Sequence, residues 1–417
     1  MKEGWEITSL GDSLILMRNG INCKQKKDGL GSKVTRIQTI ADGTVNPNKV
    51  GYANLTESEN KKYRLKIGDV LFSHINSPIH VGKTAYVEKD YGLIHGMNLL
   101  CFRTSEEVDP KFLEYYLKNL YWSGFWKTVC KQSVNQASVN MQDIKKVTFA
   151  YPSLILQKRI VAILDEAFAG IDTAIANTEK NLANARELFE SYLNLVFSQS
   201  GQDWFETTLG KEINLLTGFA FKSKEYTNST DGISLLRGDN IIQGEFRWQN
   251  VKKWPKKDMH IYNKYLLEIG DIVLAMDRTW VKAGLKYAQI SEEDVPCLLV
   301  QRVARLRAGK NLDSHYLKYL LGSIGFTRYV LSIQTGLGVP HISGKQICDF
   351  EFSCPPIEEQ KKLANKFDEI EINTKRLTSI YQQKLNSLKE LKQSLLQKAF
   401  SGELTAKPDK LMDENVA

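Results

Sequence analysis

Shifting the numbering by 203 lays residues 355–401 on residues 152–198 without a gap, and 12 of the 47 paired positions are identical. Pro152 meets Pro355, Gln157-Lys158 meet Gln360-Lys361, Asp165-Glu166 meet Asp368-Glu369, and Phe197-Ser198 meet Phe400-Ser401. Each copy reads as one long helix. In the first, apolar residues recur in steps of three and four, at Ile160, Leu164, Ala167, Phe168 and Ile171 and on through Leu182, Leu188, Phe189 and Leu193 to Phe197. That spacing draws a stripe down one helix face. The stretch holds no interior proline and one glycine, Gly170; Ser153 is placed to cap its start and Gly201 follows its end. At 1.5 Å per residue the helix runs to about 65 Å. A rod of that length cannot bury its stripe alone, and the second copy is its natural partner. A period near 200 is too long for a solenoid unit, so the plan is domain, rod, domain, rod.

The gross numbers agree with that plan. A chain of 417 residues has room for two or three domains, and 42% hydrophobic with 25% charged residues is ordinary for globular domains. The net charge of +8 is compatible with a polyanion partner. The first residues, Met1-Lys2-Glu3-Gly4-Trp5, have no signal-peptide core, and no apolar run reaches membrane-spanning length, so the expected location is the cytoplasm. Six cysteines without a CxxC spacing read as core thiols rather than as a zinc site.

The expected segments are a first domain over 1–151, a rod over 152–200, a second domain over 201–353, a rod over 354–404 and a flexible tail over 405–417. Within the domains the ends of the repeat match. Ile67-Gly68-Asp69 is answered by Ile269-Gly270-Asp271, and Phe102-Arg103 by Leu306-Arg307. Val34 to Ile40 alternates apolar and polar, as a half-buried strand does. Residues 19–60 and 218–258 share almost nothing. Such divergence suits either two related readers of unlike targets or drifting surface loops.

This ordered set resembles the specificity subunit of type I restriction–modification systems. The carrying residues are Pro152 to Gln157 with Asp165 and Phe197, Pro355 to Gln360 with Asp368 and Phe400, the two Ile-Gly-Asp elements, and the stretches Asn135 to Ile144 and Gly336 to Ile347 ahead of each rod. The resemblance spans nearly the whole chain. It implies an α+β fold in which two α/β target-recognition domains are separated by two long helices forming an antiparallel coiled coil, as a pseudo-two-fold tandem repeat. Each domain is then expected to read one half of a bipartite DNA site. The rods fix the spacer and dock two modification subunits, joined in some systems by two restriction subunits. The resemblance further implies that the chain itself holds no cofactor or metal and that S-adenosylmethionine, Mg and ATP are bound by the partner subunits. Ile160, Leu164, Phe168, Ile171, Phe189, Phe197, Leu363, Phe367, Leu388, Leu395 and Phe400 are the expected rod and subunit contacts.

Base reading needs Arg for guanine and Asn or Gln for adenine, with Lys, Ser and Thr at phosphates. In the first domain the candidates are Arg36 and Gln38 on the alternating strand, Ser73, His74, Asn76 and Lys83 in a polar run after a core strand, and Lys131, Gln132 and Asn135. The aromatics Tyr121, Trp122, Phe125 and Trp126 just before them read as core. In the second domain the candidates are Arg237 and Asn240 in an Arg-Gly-Asp-Asn turn, then Arg278, Lys282, Lys286, Gln301, Arg302 and Gln334. Arg237 and Asn240 equally suit a buried structural turn, and His341, with no partner at metal-ligand spacing, reads as structural. No phosphate-binding or adenosylmethionine-binding glycine loop follows a strand. Two rivals stay open: a nuclease built on Asp69 or Asp271 with Lys83 or Lys282, and a coiled-coil adaptor between two protein-binding domains.

Overall fold

The computed structural model describes residues 4–133, 136–199, 201, 203–336 and 339–405. Two helices dominate it, a first rod over Leu154–Phe197 and a second over Ile357–Ser401. The chain divides into one unit of residues 1–179 with 383–417 and another of residues 180–382. In the first unit the start of the first rod meets the end of the second: Ile160, Leu164, Leu396 and Ala399 are buried in one cluster, and Lys392 pairs with Asp172. In the second unit the ends are exchanged, with Leu193 and Val196 clustered with Phe367. The rods are therefore antiparallel in both.

Of the expected rod residues, Ile160, Leu164, Phe168, Ile171 and Phe367 are buried, while Phe189, Phe197, Leu363, Leu388, Leu395 and Phe400 are half-buried against these clusters. The stripe has one break. Leu188 is 64% exposed, because a helix of 3.6 residues per turn carries adjacent Phe189 and Leu188 about 100° apart and only one can face the partner.

A glutamine joins each rod to its domain. Gln157 is fully buried; its side-chain oxygen accepts the Asp109 N–H at 2.8 Å, and its amide donates to the carbonyls of Glu107 at 2.9 Å and Pro152 at 2.8 Å. Gln360 does the same with Asp313 at 2.8 Å, Asn311 at 2.8 Å and Pro355 at 2.7 Å. Asp109 and Asp313 are the N-caps of the short helices Pro110–Trp122 and Ser314–Gly322. The five-residue step from Pro to Gln thus places one amide where it closes the rod entry and clamps the neighbouring helix. Ser153 contributes its carbonyl, which accepts from Leu156 and Gln157.

A second latch lies two turns along. The Asp165 carboxylate accepts from the Tyr115 hydroxyl at 2.5 Å and Lys111 at 2.7 Å. Asp368 accepts from the Tyr319 hydroxyl at 2.5 Å, with His315 3.4 Å away. Burial and then these carboxylates push both tyrosines well above the usual phenol range. Glu371, also bonded to Tyr319 at 2.7 Å, is pushed up by burial, but hydrogen bonds from Lys375 and Lys318 prevail and hold it at about 2.

Each domain is built on a four-stranded antiparallel sheet. The spatial order is Leu14–Asn19, Leu100–Thr104, Val70–Phe72, Thr84–Tyr86 in the first and Ile213–Thr217, Val303–Ala308, Ile272–Ala275, Tyr287–Gln289 in the second. The first and last strands of each domain also pair, Glu6–Ser9 with Thr148–Tyr151 and Phe205–Thr208 with Glu351–Cys354, and the last runs straight into its rod. The Ile-Gly-Asp elements explain themselves here. Gly68 and Gly270 turn the chain at φ +91° and +90°, where glycine has no Cβ to clash. The buried Asp69 then takes Arg103 at 2.7 and 2.9 Å, as Asp271 takes Arg307 at 2.7 and 2.8 Å. Both carboxylates on which a nuclease would depend are spent on holding adjacent strands.

Val34 to Ile40 departs from the expected strand. The strand Ser32–Thr35 ends early and Ile37–Ile40 is a 3-10 turn. The Thr39 hydroxyl accepts the Arg36 N–H at 2.8 Å, a local bond that competes with the ladder.

Candidate nucleic-acid interface

In the second domain three distant segments meet at the end of the sheet where Ile272–Ala275 stops and Val303–Ala308 begins. The Met276 N–H donates to Arg302 at 2.9 Å, Arg278 to Pro340 at 2.7 Å, and Ile342 to Met276 at 3.0 Å. This brings Arg278, Arg302 and His341 together around Asp277, with His341 Nδ1 at 2.6 Å and Arg302 Nε at 3.6 Å from its carboxylate. A hairpin, Trp280–Val281 with Gly284–Leu285, follows, and Lys282 is exposed between its strands. Gln301 is exposed, its N–H spent on Phe219 at 2.8 Å; Gln334 is half-buried with an unpartnered side-chain oxygen. His341, which reads as structural in the sequence, pairs with Asp277, 64 residues away.

The first domain builds the same junction from other residues. Ile75–Asn76 pairs with Gln136–Ser138, which pairs with Lys131–Ser133. Lys131 is exposed, and Gln132 lies opposite Ala137. Asn135 lies outside the described residues.

The polar run at 73–77 needs correcting. Ser73 and His74 are buried rather than presented to a ligand, because the backbone ladder continues through Ser73, bonded to Lys83 and Gly82 at 2.8 Å each. Burial drops His74 to about 4, so its ring is neutral at physiological pH. Half-buried Asn76 donates to the Ser73 hydroxyl at 3.3 Å. Gly82 packs on the core: at φ +90°, a Cβ there would fall 2.1 Å from buried Trp126, the core residue expected.

A shared turn lies inside the stretches that read as unrelated. The Arg36 N–H donates to Thr39 Oγ1 at 2.8 Å, and the Arg237 N–H donates to Asn240 Oδ1 at 3.0 Å. Thr39 then donates to the Lys49 carbonyl at 2.6 Å, and Asn240 to the Arg247 carbonyl at 3.0 Å. Lys83 reaches the Ala41 carbonyl at 2.7 Å, and Lys286 that of Gly238. Arg36 and Arg237 are thus equivalent, 201 positions apart, each half-buried at the head of a locked turn. Gln38 is exposed on the 3-10 turn. Asn240 is buried with both ends of its amide used, so it builds the turn rather than reading a base.

The second-domain turn and junction form one electrostatic surface. Burial lowers the Lys286 ammonium; Asp239 opposes this, and Arg278 and Arg247 add to it, so each of these three charges acts on Lys286. Arg237 Nε sits 3.4 Å from Asp239. Guanidinium and ammonium groups on loops at a sheet end suit phosphates and base edges. Among the described residues no group of three or more His, Cys, Asp or Glu could hold a metal ion, and no helix is long and apolar enough to cross a membrane.

Comparison with known proteins finds one family twice along the chain. The family model of the type I restriction modification DNA specificity domain matches residues 2–184 and again 202–390. A Methanocaldococcus jannaschii protein named as a type I restriction enzyme MjaX specificity subunit is 28% identical over 429 aligned positions, covering 97% of this chain and 95% of that one. The EcoAI specificity subunit of Escherichia coli is 40% identical over 172 residues, 40% of this chain and 28% of its own. Among solved structures, a chain from work on complex assembly and conformational transition of the type I R-M system shares the fold with a TM-score of 0.72 at 17% identity, over 96% of this chain and 98% of that one. The HsdS subunit from Thermoanaerobacter tengcongensis does so at 0.59, again at 17% identity over 96% and 98%. With both copies of its repeat matched, the chain belongs to the type I restriction–modification DNA specificity family and serves DNA sequence recognition in such a system.

Proposed function

We propose that each domain reads one half of a bipartite, asymmetric DNA sequence, that the rods set the spacer, and that two modification subunits dock on the assembly. One observation carries this reading: identical mounts hold unlike tips. The Gln157/Gln360 and Asp165/Asp368 latches and the Asp69–Arg103 and Asp271–Arg307 locks repeat in their central bonds. At the sheet ends the first domain carries Asn76 and Lys131, whereas the second carries Asp277, Arg278 and Arg302. A duplicated mount with different readers suits a target of two different halves. Duplex DNA has its own dyads, so two related readers can address half-sites on one face. The net charge of +8 supports a polyanionic target.

In this reading the chain is not catalytic. S-adenosylmethionine, Mg and ATP are bound by modification subunits and, in systems that have them, by two restriction subunits, in the cytoplasm. Mapping methylated bases in host DNA with and without the gene tests it. The expected result is one gapped, asymmetric motif that disappears with the gene; a continuous motif, or none, overturns the proposal.

A further inference from the structure

Asp277, Arg302 and His341 reach one spot in the second domain from three segments, and their arrangement is specific. Asp277 uses both oxygens: Oδ1 lies 2.6 Å from His341 Nδ1, and Oδ2 lies 3.6 Å from Arg302 Nε. The Arg302 side chain is 62% exposed, while its backbone sits at φ +67°. Arg278, next to Asp277, sits at φ +47°. Among the described residues only three that are not glycine have positive φ, and two are these arginines. Glycine would turn the chain there without steric cost. Arginine in a left-handed conformation on an exposed turn points to a use for the side chain.

The chemistry of the pair narrows that use. The 3.6 Å approach to Asp277 is made at Nε, so the end-on edge of the guanidinium, with one N–H on each of Nη1 and Nη2, is a separate pair of donors. A planar fork of two donors matches N7 and O6 of guanine in the major groove; adenine puts an amino donor where O6 would be. His341 holds Asp277 from the other side through Nδ1. A guanidinium braced in this way loses less freedom on binding. The first domain lacks the brace, since the corresponding strand contact joins Ile75 to Ser138, neither of which is charged.

We infer that Arg302 reads a guanine in the half-site of the second domain, with Asp277 and His341 as its positioning residues. This rests on the reading of the domains as half-site readers. The test is the methylated motif in cells carrying the chain with its modification subunit, for wild type, Arg302→Ala, Arg302→Lys and Asp277→Asn. Wild type should show guanine at one position of one half-site. Both Arg302 variants should lose preference there by about ten- to a hundredfold, with the other half-site and spacer unchanged. Asp277→Asn should relax the same position more weakly, which a general folding defect would not do. Arg302→Lys keeps the charge but not the fork, so uniform loss at all sequences with no position relaxed would make Arg302 a phosphate contact and overturn the inference. Relaxation at a base other than guanine would also overturn it. A wild-type chain that yields no gapped motif would instead overturn the half-site reading beneath it.

Discussion

The side-chain oxygen of Gln157 accepts the backbone N–H of Asp109 at 2.8 Å, so a residue of the rod caps the entry to a helix of the domain. The bond recurs between Gln360 and Asp313, and both glutamines are fully buried. Replacing either by leucine leaves one buried amide and two carbonyls without partners. Each such group costs about 1–3 kcal/mol. Gln157→Leu and Gln360→Leu should each lower stability by about 2–5 kcal/mol in urea unfolding, mainly through the unit that contains the change. A loss under about 0.5 kcal/mol would show that the latch contributes little.

Asp69 and Asp271 offer a second check. Each is buried against an arginine with paired short hydrogen bonds. Breaking one partner of a buried ion pair costs about 3–5 kcal/mol. Asp271→Ala should destabilise the second domain on that scale, as should Arg307→Ala. Metal-dependent DNA cleavage by the wild-type chain that disappears in a folded Asp271→Ala variant would restore the nuclease alternative.

These elements also show what sequence made legible. The rods were readable because helix periodicity and the absence of proline are local signals, and Gly68 and Gly270 because a positive φ demands glycine. The Pro-to-Gln spacing was visible as a motif, but its purpose was not, since Gln157 bonds to residues 48 and 50 positions away. The Arg36 and Arg237 turns escaped comparison because a threonine hydroxyl and an asparagine amide do the same job in the two copies. Ser73 and His74 read as surface residues but are buried, for a related reason: polarity in sequence does not reveal whether a strand runs on through the core.

Acid should weaken the first domain before the second. Burial drops both His74 and His95 to about 4. Between the ordinary value near 6.5 and about 4 the unfolded state binds protons that the folded state does not. Stability is therefore complete above about pH 6.5 and falls as pH drops through this window, by on the order of 3 kcal/mol per histidine. Amide exchange at pH 5 against pH 7 should show the first domain opening selectively. His95→Gln should blunt that difference, and equal opening of both domains would contradict the assignment.

The equivalent turns lead to a paired prediction. Arg237→Ala should weaken recognition of one half-site by about 1–3 kcal/mol, and Arg36→Ala should weaken the other by a similar amount. Competition binding of the complex with duplexes altered in one half at a time measures both. Loss at both halves from one substitution would mean that the turns serve the fold alone.

Rod length is the most direct handle on the proposal as a whole. Removing one heptad from the middle of each rod takes out about 10 Å of helix, equivalent to roughly three base pairs of duplex. Mapping the methylated motif of the shortened chain should return both original half-sites with a spacer about three base pairs shorter. The original spacer with both half-sites intact, from a folded and active shortened chain, would contradict the rods as the measure of distance.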